Sequence, residues 1–555
     1  MNSSPQVLAT GSPRFHSTGL ARLAETDGAQ AAWTEACKHG ILAAAAQVSG
    51  DFAIGIRDSC GRTSLAVDRF AIRSLCYREV DGELLFAPRA DTLADAATDI
   101  DPQAIFDYLF FHAIPSPRTI FKGIYRLPPA HCAVYERGRL TVAPYWKPEF
   151  TDPQHVSFPA LRDEFRGLLR HAVKDQLDGS RPACYLSGGT DSSTVAGIIG
   201  EVGGTPASTY SIGFDAAGYD EMEFARITAQ HFGTTHQEYY VTPEDLVRSI
   251  ETVATHFDQP FGNSSALPAY YCAVMAKNDG VTKMMAGDGG DELFGGNTRY
   301  AKQRVFGWYA SLPKPLRTQV MEPTLARTAM QHFPLVRKAA SYVEQARVAM
   351  PQRLQMYNLL YRMGIDSVFT ADFLDQVNPQ SPVAQQQQVW ELASTNESLH
   401  RNLAFDWRYT LAENDLPKVC STANLAGIEV GFPLLDQRLV DFSLRLPASY
   451  KLHGLSLRWF FKEALRGFLP DATIKKKKQG FGLPFGPWAC GHAGLYRLAS
   501  DSLHSLGERG VIRRDFIHTL LTERLQAHPG YYGEMVWISM MLEQWLRTHA
   551  PHYRV

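Results

Sequence analysis

The chain has no CxxC pair, no long apolar run and almost no net charge. Its eight cysteines (Cys37, Cys60, Cys76, Cys132, Cys184, Cys272, Cys420, Cys490) are scattered over 555 residues. That spacing fits neither a disulfide framework nor a zinc site, and it suits a reducing cytoplasm. No stretch of about 18 apolar residues is present, so a membrane-spanning helix is not expected. The opening MNSSPQVLATGSPRF lacks the basic-then-apolar order of a secretory signal. A formal charge of −2 gives no electrostatic reason to expect nucleic acid or an anionic membrane as partner. A Walker A loop is missing too, because no GK[ST] follows any glycine-rich turn.

What is present is length and a change of period. At 555 residues one core is too few, and two or more domains are expected. Residues 1–150 read as β-rich: DFAIGIRD, TSLAVDRF, LLFAP and HCAVYERGRLTVAPYW are strand-like runs, with a hairpin near Gly138 and one helical stretch in DPQAIFDYLFFHAI. KPEFTDPQHVSFP reads as a linker. From Phe158 apolar residues recur at helical spacing, and short strands then alternate with helices at ACYL, STVAGIIGEV, ASTYSIGF, 221–232, HQEYYV and VTKMMAG. That alternation predicts a parallel sheet with helices on both faces. Residues 300–470 read as mostly helical, with LRWFFKEALRGFL (457–469) as one helix. Residues 1–20 and 549–555 are expected to be mobile, and 300–410 to line a substrate entrance.

Within PACYLSGGTDSSTVAGIIG (182–200), seven small polar residues separate an apolar strand from an apolar helix. Gly188 and Gly189 allow backbone to approach a ligand, and the helix start aims N–H groups at one point, a site for phosphate. Ser187, Thr190, Ser192 and Ser193 add hydroxyls. Asp191 would repel phosphate unless a cation lay between them, which makes it a candidate Mg²⁺ ligand. The bland alternative is a helix N-cap, which uses the same residue types.

SGGTDSS resembles the pyrophosphate loop of the N-type ATP pyrophosphatases. AGDGGDELFGGNTRY (286–300), FDQPFGNSSALPAYY (257–271), GFPLLDQRLVDFSLRLP (431–447) and KKKKQGFGLPFGPW (475–488) are similar to segments of the asparagine synthetase family, in order from about 160 to 490. The resemblance implies an α/β fold: an N-terminal β-rich, Ntn-amidohydrolase-like domain (1–150), then an ATP-pyrophosphatase domain with a large helical portion (158–548). It implies ATP and Mg²⁺ as cofactors. Gly287, Gly289 and Gly290 permit close approach, while Asp288, Asp291 and Glu292 need a cation or an amine beside them. Asp191 and Asp291 would form a two-carboxylate Mg²⁺ site, as in the family. The family places Asp288 facing the acyl group or deprotonating the attacking amine, and backbone near Ser211 and Gly213 against the adenosine. It places Lys478, just before Gln-Gly-Phe, against the reacting phosphate, with Lys477 as the alternative. A lysine run is also the usual composition of a solvated face.

The pattern breaks in three places. Glutamine-using members begin Met-Cys, whereas this chain begins Met1–Asn2–Ser3, and the glutamine-binding motifs are missing; SGDFAIGIRD and LAVDRFAIRSLCY still resemble that domain's core. An inert, shortened amidotransferase domain is therefore expected, with Ser3 or Ser4 an unsupported nucleophile. KVCS (418–421) and EVGFPLLD (429–436) carry Cys420 and Gly431 where synthetases carry an acid and an arginine; the missing arginine is either a bidentate carboxylate partner or half of a structural ion pair, and either loss weakens the expectation of free aspartate as substrate. The expected activity is amide formation through an acyl-adenylate on a peptide or small-molecule carboxylate. A lasso-peptide-type macrolactam cyclase is favoured, in resemblance also to β-lactam synthetases. A precursor-peptide-processing protease would be its partner. An ammonia-dependent asparagine synthetase or small-molecule amidating enzyme is the alternative, and a non-catalytic binding protein the third.

Overall fold

The computed structural model describes residues 6–151, 153, 157–323, 334–477 and 482–555. The first layer is an antiparallel sheet of β1 (Gln6–Gly11), β2 (Phe52–Arg57), β3 (Thr63–Val67), β7 (His131–Glu136) and β8 (Arg139–Pro144), in the order β1-β2-β3-β7-β8. A smaller sheet, β5 (Glu83–Ala87), β4 (Cys76–Val80) and β6 (Ile124–Arg126), packs on it. Successive residues of β2 face opposite ways: Phe52 and Ile54 join Trp33 in one cluster, while Ala53 joins Leu65, Tyr77 and Phe86 in another. Both faces are covered, which is why this strand reads as an unbroken apolar run. The expected hairpin is present, with Arg137 and Gly138 both in left-handed backbone (φ 51° and 72°), as a two-residue turn of the favoured twist requires.

The second unit is a five-stranded parallel sheet: β9 (Ala183–Tyr185), β10 (Ser208–Phe214), β11 (Thr235–Val241), β12 (Lys283–Met285) and β13 (Glu429–Gly431), in the order β11-β10-β9-β12-β13. The chain steps outward from β9 to β11, then returns to the other side of β9. The strand order therefore reverses between β9 and β12, and the crevice beyond their carboxyl ends is where such sheets bind ligands. The mixed α/β fold with a β-rich N-terminal part matches expectation. Among the described residues no helix is long and apolar enough to cross a membrane, and all eight cysteines are free.

Several expectations are corrected. Residues 457–469 do not form one helix: the helix covers only Trp459–Ala464, because Arg458 before it has left-handed backbone (φ 56°) and Gly467 after it φ 82°. Neither end of the described chain hangs free. β1 pairs with β2 from Gln6↔Arg57 to Gly11↔Phe52. Arg509 donates to the carbonyls of Ala550 and Tyr553 at 3.1 and 3.0 Å, and Val555 N–H to Arg509 O at 2.9 Å. The described start of the linker is packed as well, since Phe150 stacks on His400 and Thr151 N–H donates to Leu444 O.

The two units share a core. Helix α1 (Pro102–Phe111) packs against the long helix α2 (Pro529–His549), and Tyr108 Oη donates to Ile538 O at 2.8 Å. Beside it Glu413 accepts from Ser116 Oγ at 2.7 Å and Arg126 Nη2 at 2.6 Å, and pairs with Arg408. Burial pushes the Glu413 carboxyl up, but the two arginines and Ser116 hold it below its usual range. Removing this buried anion strands two guanidinium groups. Glu413→Ala should therefore destabilise the protein by about 3–5 kcal/mol, read as a lower midpoint of chemical denaturation.

Candidate active site

A cavity of about 960 Å³ opens at the carboxyl ends of β9, β10 and β12. Strand β9 runs into the loop at Ser187 and out through helix Thr190–Gly203, whose first-turn N–H groups lack intrahelical partners. Ser187 Oγ lies 3.0 Å from Ser192 Oγ, which also accepts from Ser187 N–H at 3.1 Å. Gly188 has φ 67°, and a methyl group there would overlap the backbone of Phe224. Gly287 is as tightly placed: a Cβ would stand 2.8 Å from Ser192 N. Gly287 thereby lets the loop after β12 touch the loop after β9, while Gly188 lets the latter press against the helix that carries Phe224.

The contact brings Asp191 and Asp291 together. Arg458 bridges them, with Nη1 donating to Asp191 Oδ2 at 2.6 Å and to Asp291 Oδ1 at 2.9 Å, and Nη2 to Asp191 Oδ1. A side chain at Gly290 would overlap the Asp191 carboxylate, and one at Gly296 that of Asp291. Two hard oxygen donors converge on one cationic position. Among the described residues no group of three His, Cys, Asp or Glu could hold a metal. An ion held by these two aspartates would take its other ligands from phosphate and water, which suits Mg²⁺.

Other expected residues separate into cavity and support. Ser187, Gly189, Thr190, Asp191, Ser192, Ser211, Gly287, Asp288 and Asp291 line the cavity. Ser193 instead turns its hydroxyl to Thr228 Oγ1 at 2.9 Å. Ser211 Oγ is tied to Leu186 O, and Gly213 lies against the Tyr240 ring, where a Cβ would come within 2.7 Å. Lys478 lies outside the described residues. Of its neighbours, Lys475 pairs outward with Asp471, and Lys477 is exposed at the cavity rim. Lys476 points in, with Nζ 3.2 Å from Glu221 Oε2 and 3.3 Å from Ser187 O; burial lowers its pKa despite the glutamate.

Asp288 sits in the opposite wall. Burial raises its carboxyl to about 6, with nearby Asp415 and Asp191 also raising it and Lys418 opposing. Lys418 Nζ is 2.9 Å from Asp415 Oδ1 and 3.9 Å from Asp288 Oδ1. Burial likewise pushes Glu292 up to about 8, helped by Asp415. Tyr185 Oη is buried in the wall without a hydrogen-bond partner among the described residues. Sequence reasoning did not single out Arg458, Lys418, Asp415, Lys476 or Tyr185. Lys418 lay inside the quoted KVCS motif, but Arg458 was hidden in a presumed helix.

The two substituted motif positions are not at this cavity. Cys420 faces Ile72 O, with Sγ at 3.9 Å. Gly431 lines a separate cleft of about 320 Å³ between the two units, and a side chain there would overlap Gln176 Oε1. Both positions lie at the seam between the units, where the second of the two expected losses, a structural ion pair, would fall.

Known proteins carry the same two blocks. The Asparagine synthase family matches residues 164–547, and the Glutamine amidotransferase domain family matches 31–146. Asparagine synthetase [glutamine-hydrolyzing] 1 of Bacillus subtilis is 24% identical over 86% of this chain and 74% of its own length. A putative asparagine synthetase [glutamine-hydrolyzing] 2 of Methanocaldococcus jannaschii is 30% identical over 45% of this chain and 50% of its own. Amidase chyE of Penicillium rubens is 25% identical over 85% and 75%. With the switch-point crevice, the paired aspartates and a match over most of its length, the chain belongs to the asparagine synthase family, ATP-dependent carbon–nitrogen ligases.

Proposed function

We propose that the protein adenylates a substrate carboxylate and closes an amide with an amine of the same substrate, forming a macrolactam. A carboxylate oxygen attacks the α-phosphorus of ATP, the bond to the bridging oxygen breaks, and pyrophosphate leaves. The amine then attacks the acyl carbon, its proton passes to Asp288, and AMP departs. Mg²⁺ held by Asp191 and Asp291 would neutralise charge on the leaving phosphates. The chain itself supplies hydroxyls at Ser187, Thr190 and Ser192, helix N–H groups, and an inward ammonium from Lys476; the family's candidate is Lys478, two positions on in the sequence. Residues 1–150 act in this reading as an inert amidotransferase-like unit, in which burial raises the thiols of Cys37 and Cys132 to about 12 and that of Cys76 further, while Cys60 lies exposed.

The observation that carries the choice of substrate is the neutral wall formed by Asn263, Ser265, Pro268, Ala269 and Cys272. Among the described cavity residues the cations lie elsewhere. Arg458 and Lys418 are engaged with acids, Lys462 senses Asp191, and Lys475–Lys477 border the phosphate side. Free aspartate brings a second carboxylate that a buried site must offset; a carboxylate side chain within a peptide does not. A peptide-processing protease supplying such a substrate would be the partner, in a cytoplasmic setting with ATP at hand.

Peptides with a free N-terminus and one Asp or Glu side chain, given with ATP and Mg²⁺, should release pyrophosphate and yield a product lighter by one water. Release with aspartate plus ammonium but with no peptide would replace this reading by an ammonia-dependent asparagine synthetase. A base must be ionised to accept the amine proton. Turnover should therefore fall as pH drops through about 6, the raised value for Asp288. Asp288→Asn should abolish that limb and slow amide formation by about 10²–10⁴-fold, while ATP–pyrophosphate exchange persists. Lys476→Met should raise KM for ATP roughly tenfold or more, whereas Lys475→Met should leave it within about twofold.

A further inference from the structure

Arg458 occupies the position that the metal reading gives to a divalent cation. Its guanidinium makes three charge-assisted bonds to Asp191 and Asp291. The side chain is only 6% exposed, and Cζ stands 4.2 Å from the Phe461 ring centroid. Nε is buried without a partner among the described residues. The residue is held in left-handed backbone directly after the hairpin Leu452–His453/Ser456–Leu457, whose Leu455 is half-exposed at the cavity rim.

We propose that Arg458 is a positioning residue that keeps the two aspartates aligned for a divalent cation and excludes that cation until nucleotide arrives. The inference rests on the two-aspartate metal reading above. Left alone, two facing carboxylates repel, and the guanidinium both neutralises and orients them. A bare cation would have to break three bonds to gain two carboxylates. A cation arriving with a triphosphate brings phosphate oxygens as further ligands. Those phosphates also offer the displaced guanidinium a new anionic partner, and its planar fork suits them. Metal and nucleotide therefore bind as a coupled pair, each tightening the other by the same factor.

Mn²⁺ binding to the full chain, read by the electron paramagnetic resonance of free Mn²⁺, tests this. Without nucleotide, Arg458→Gln should bind Mn²⁺ about tenfold or more tightly than the wild type, because the competing cation is gone. Adding α,β-methylene-ATP should tighten the wild type and narrow the gap. A merely structural arginine would change stability without changing Mn²⁺ affinity in this direction; equal affinities without nucleotide overturn the proposal. Should the variant fail to fold, the wild type alone decides. Its melting temperature should be unmoved by Mg²⁺ alone and raised by Mg²⁺ with the analogue beyond the analogue's own effect. An equal rise with Mg²⁺ alone overturns the latch. No Mg²⁺ effect even with the analogue overturns the metal assignment, and the latch with it.

Discussion

The pairing of β9 with β12 is the constraint on which the site depends. One parallel register, Cys184 opposite Met285, sets two strands side by side that are a hundred residues apart in the chain. Each ends in a loop of small residues at the same edge, so the loops must either collide or interlock. They interlock because Gly287 and Gly290 leave no side chain in the way of Asp191 and Ser192. Insert a methyl group at Gly287 and it meets the backbone of Ser192, which would force the loops apart and separate the two aspartates.

Electrostatics then follows from crowding. The cavity is lined by six acids (Asp191, Glu221, Asp288, Asp291, Glu292, Asp415) and six cations (Lys418, Arg458, Lys462, Lys475, Lys476, Lys477). Among the described residues acids and cations are thus equal in number, although the acids outnumber the cations in the wall around Asp288. That local excess, on top of burial, lifts Asp288 and Glu292 above the ordinary carboxylate range. A triphosphate entering beside Asp191 and Asp291 would meet like charge, and a divalent cation carried with it would relieve that repulsion.

Much of this was legible in the sequence, and the failures share a cause. Strands such as Ser208–Phe214 and helices such as Thr190–Gly203 announce themselves by period and by flanking glycine. Strand β13 does not: β9 and β12 are equally short but lie within longer apolar runs, whereas Glu429–Gly431 stands inside a segment read for its motif. Gly431 could be read as a lost carboxylate contact or a lost ion pair, since a motif position carries no information about which cavity it faces. The helix expected over 457–469 fails differently. Its apolar spacing is sound, but the two-aspartate pocket draws Arg458 into left-handed backbone, a tertiary demand that costs roughly 1–3 kcal/mol and leaves no local trace. The lysine run was ambiguous from the start, since only packing against Glu221 and Phe224 tells Lys476 from Lys475.

One short segment ties the amidotransferase-like unit to the cavity wall. Trp407–Asp415 winds as a π-helix, a rare form that concentrates at functional sites. Within it, Glu413 is gripped by Ser116 and Arg126 of the N-terminal unit, while Asp415, two residues on, holds Lys418 beside Asp288. An anchor and a cavity residue so close along one rigid turn cannot move independently. Loosening the N-terminal unit at Glu413 would shift Asp415, and with it the cation that opposes the burial of Asp288. The N-terminal unit thus has a physical role at the cavity: it fixes the wall that holds Asp288.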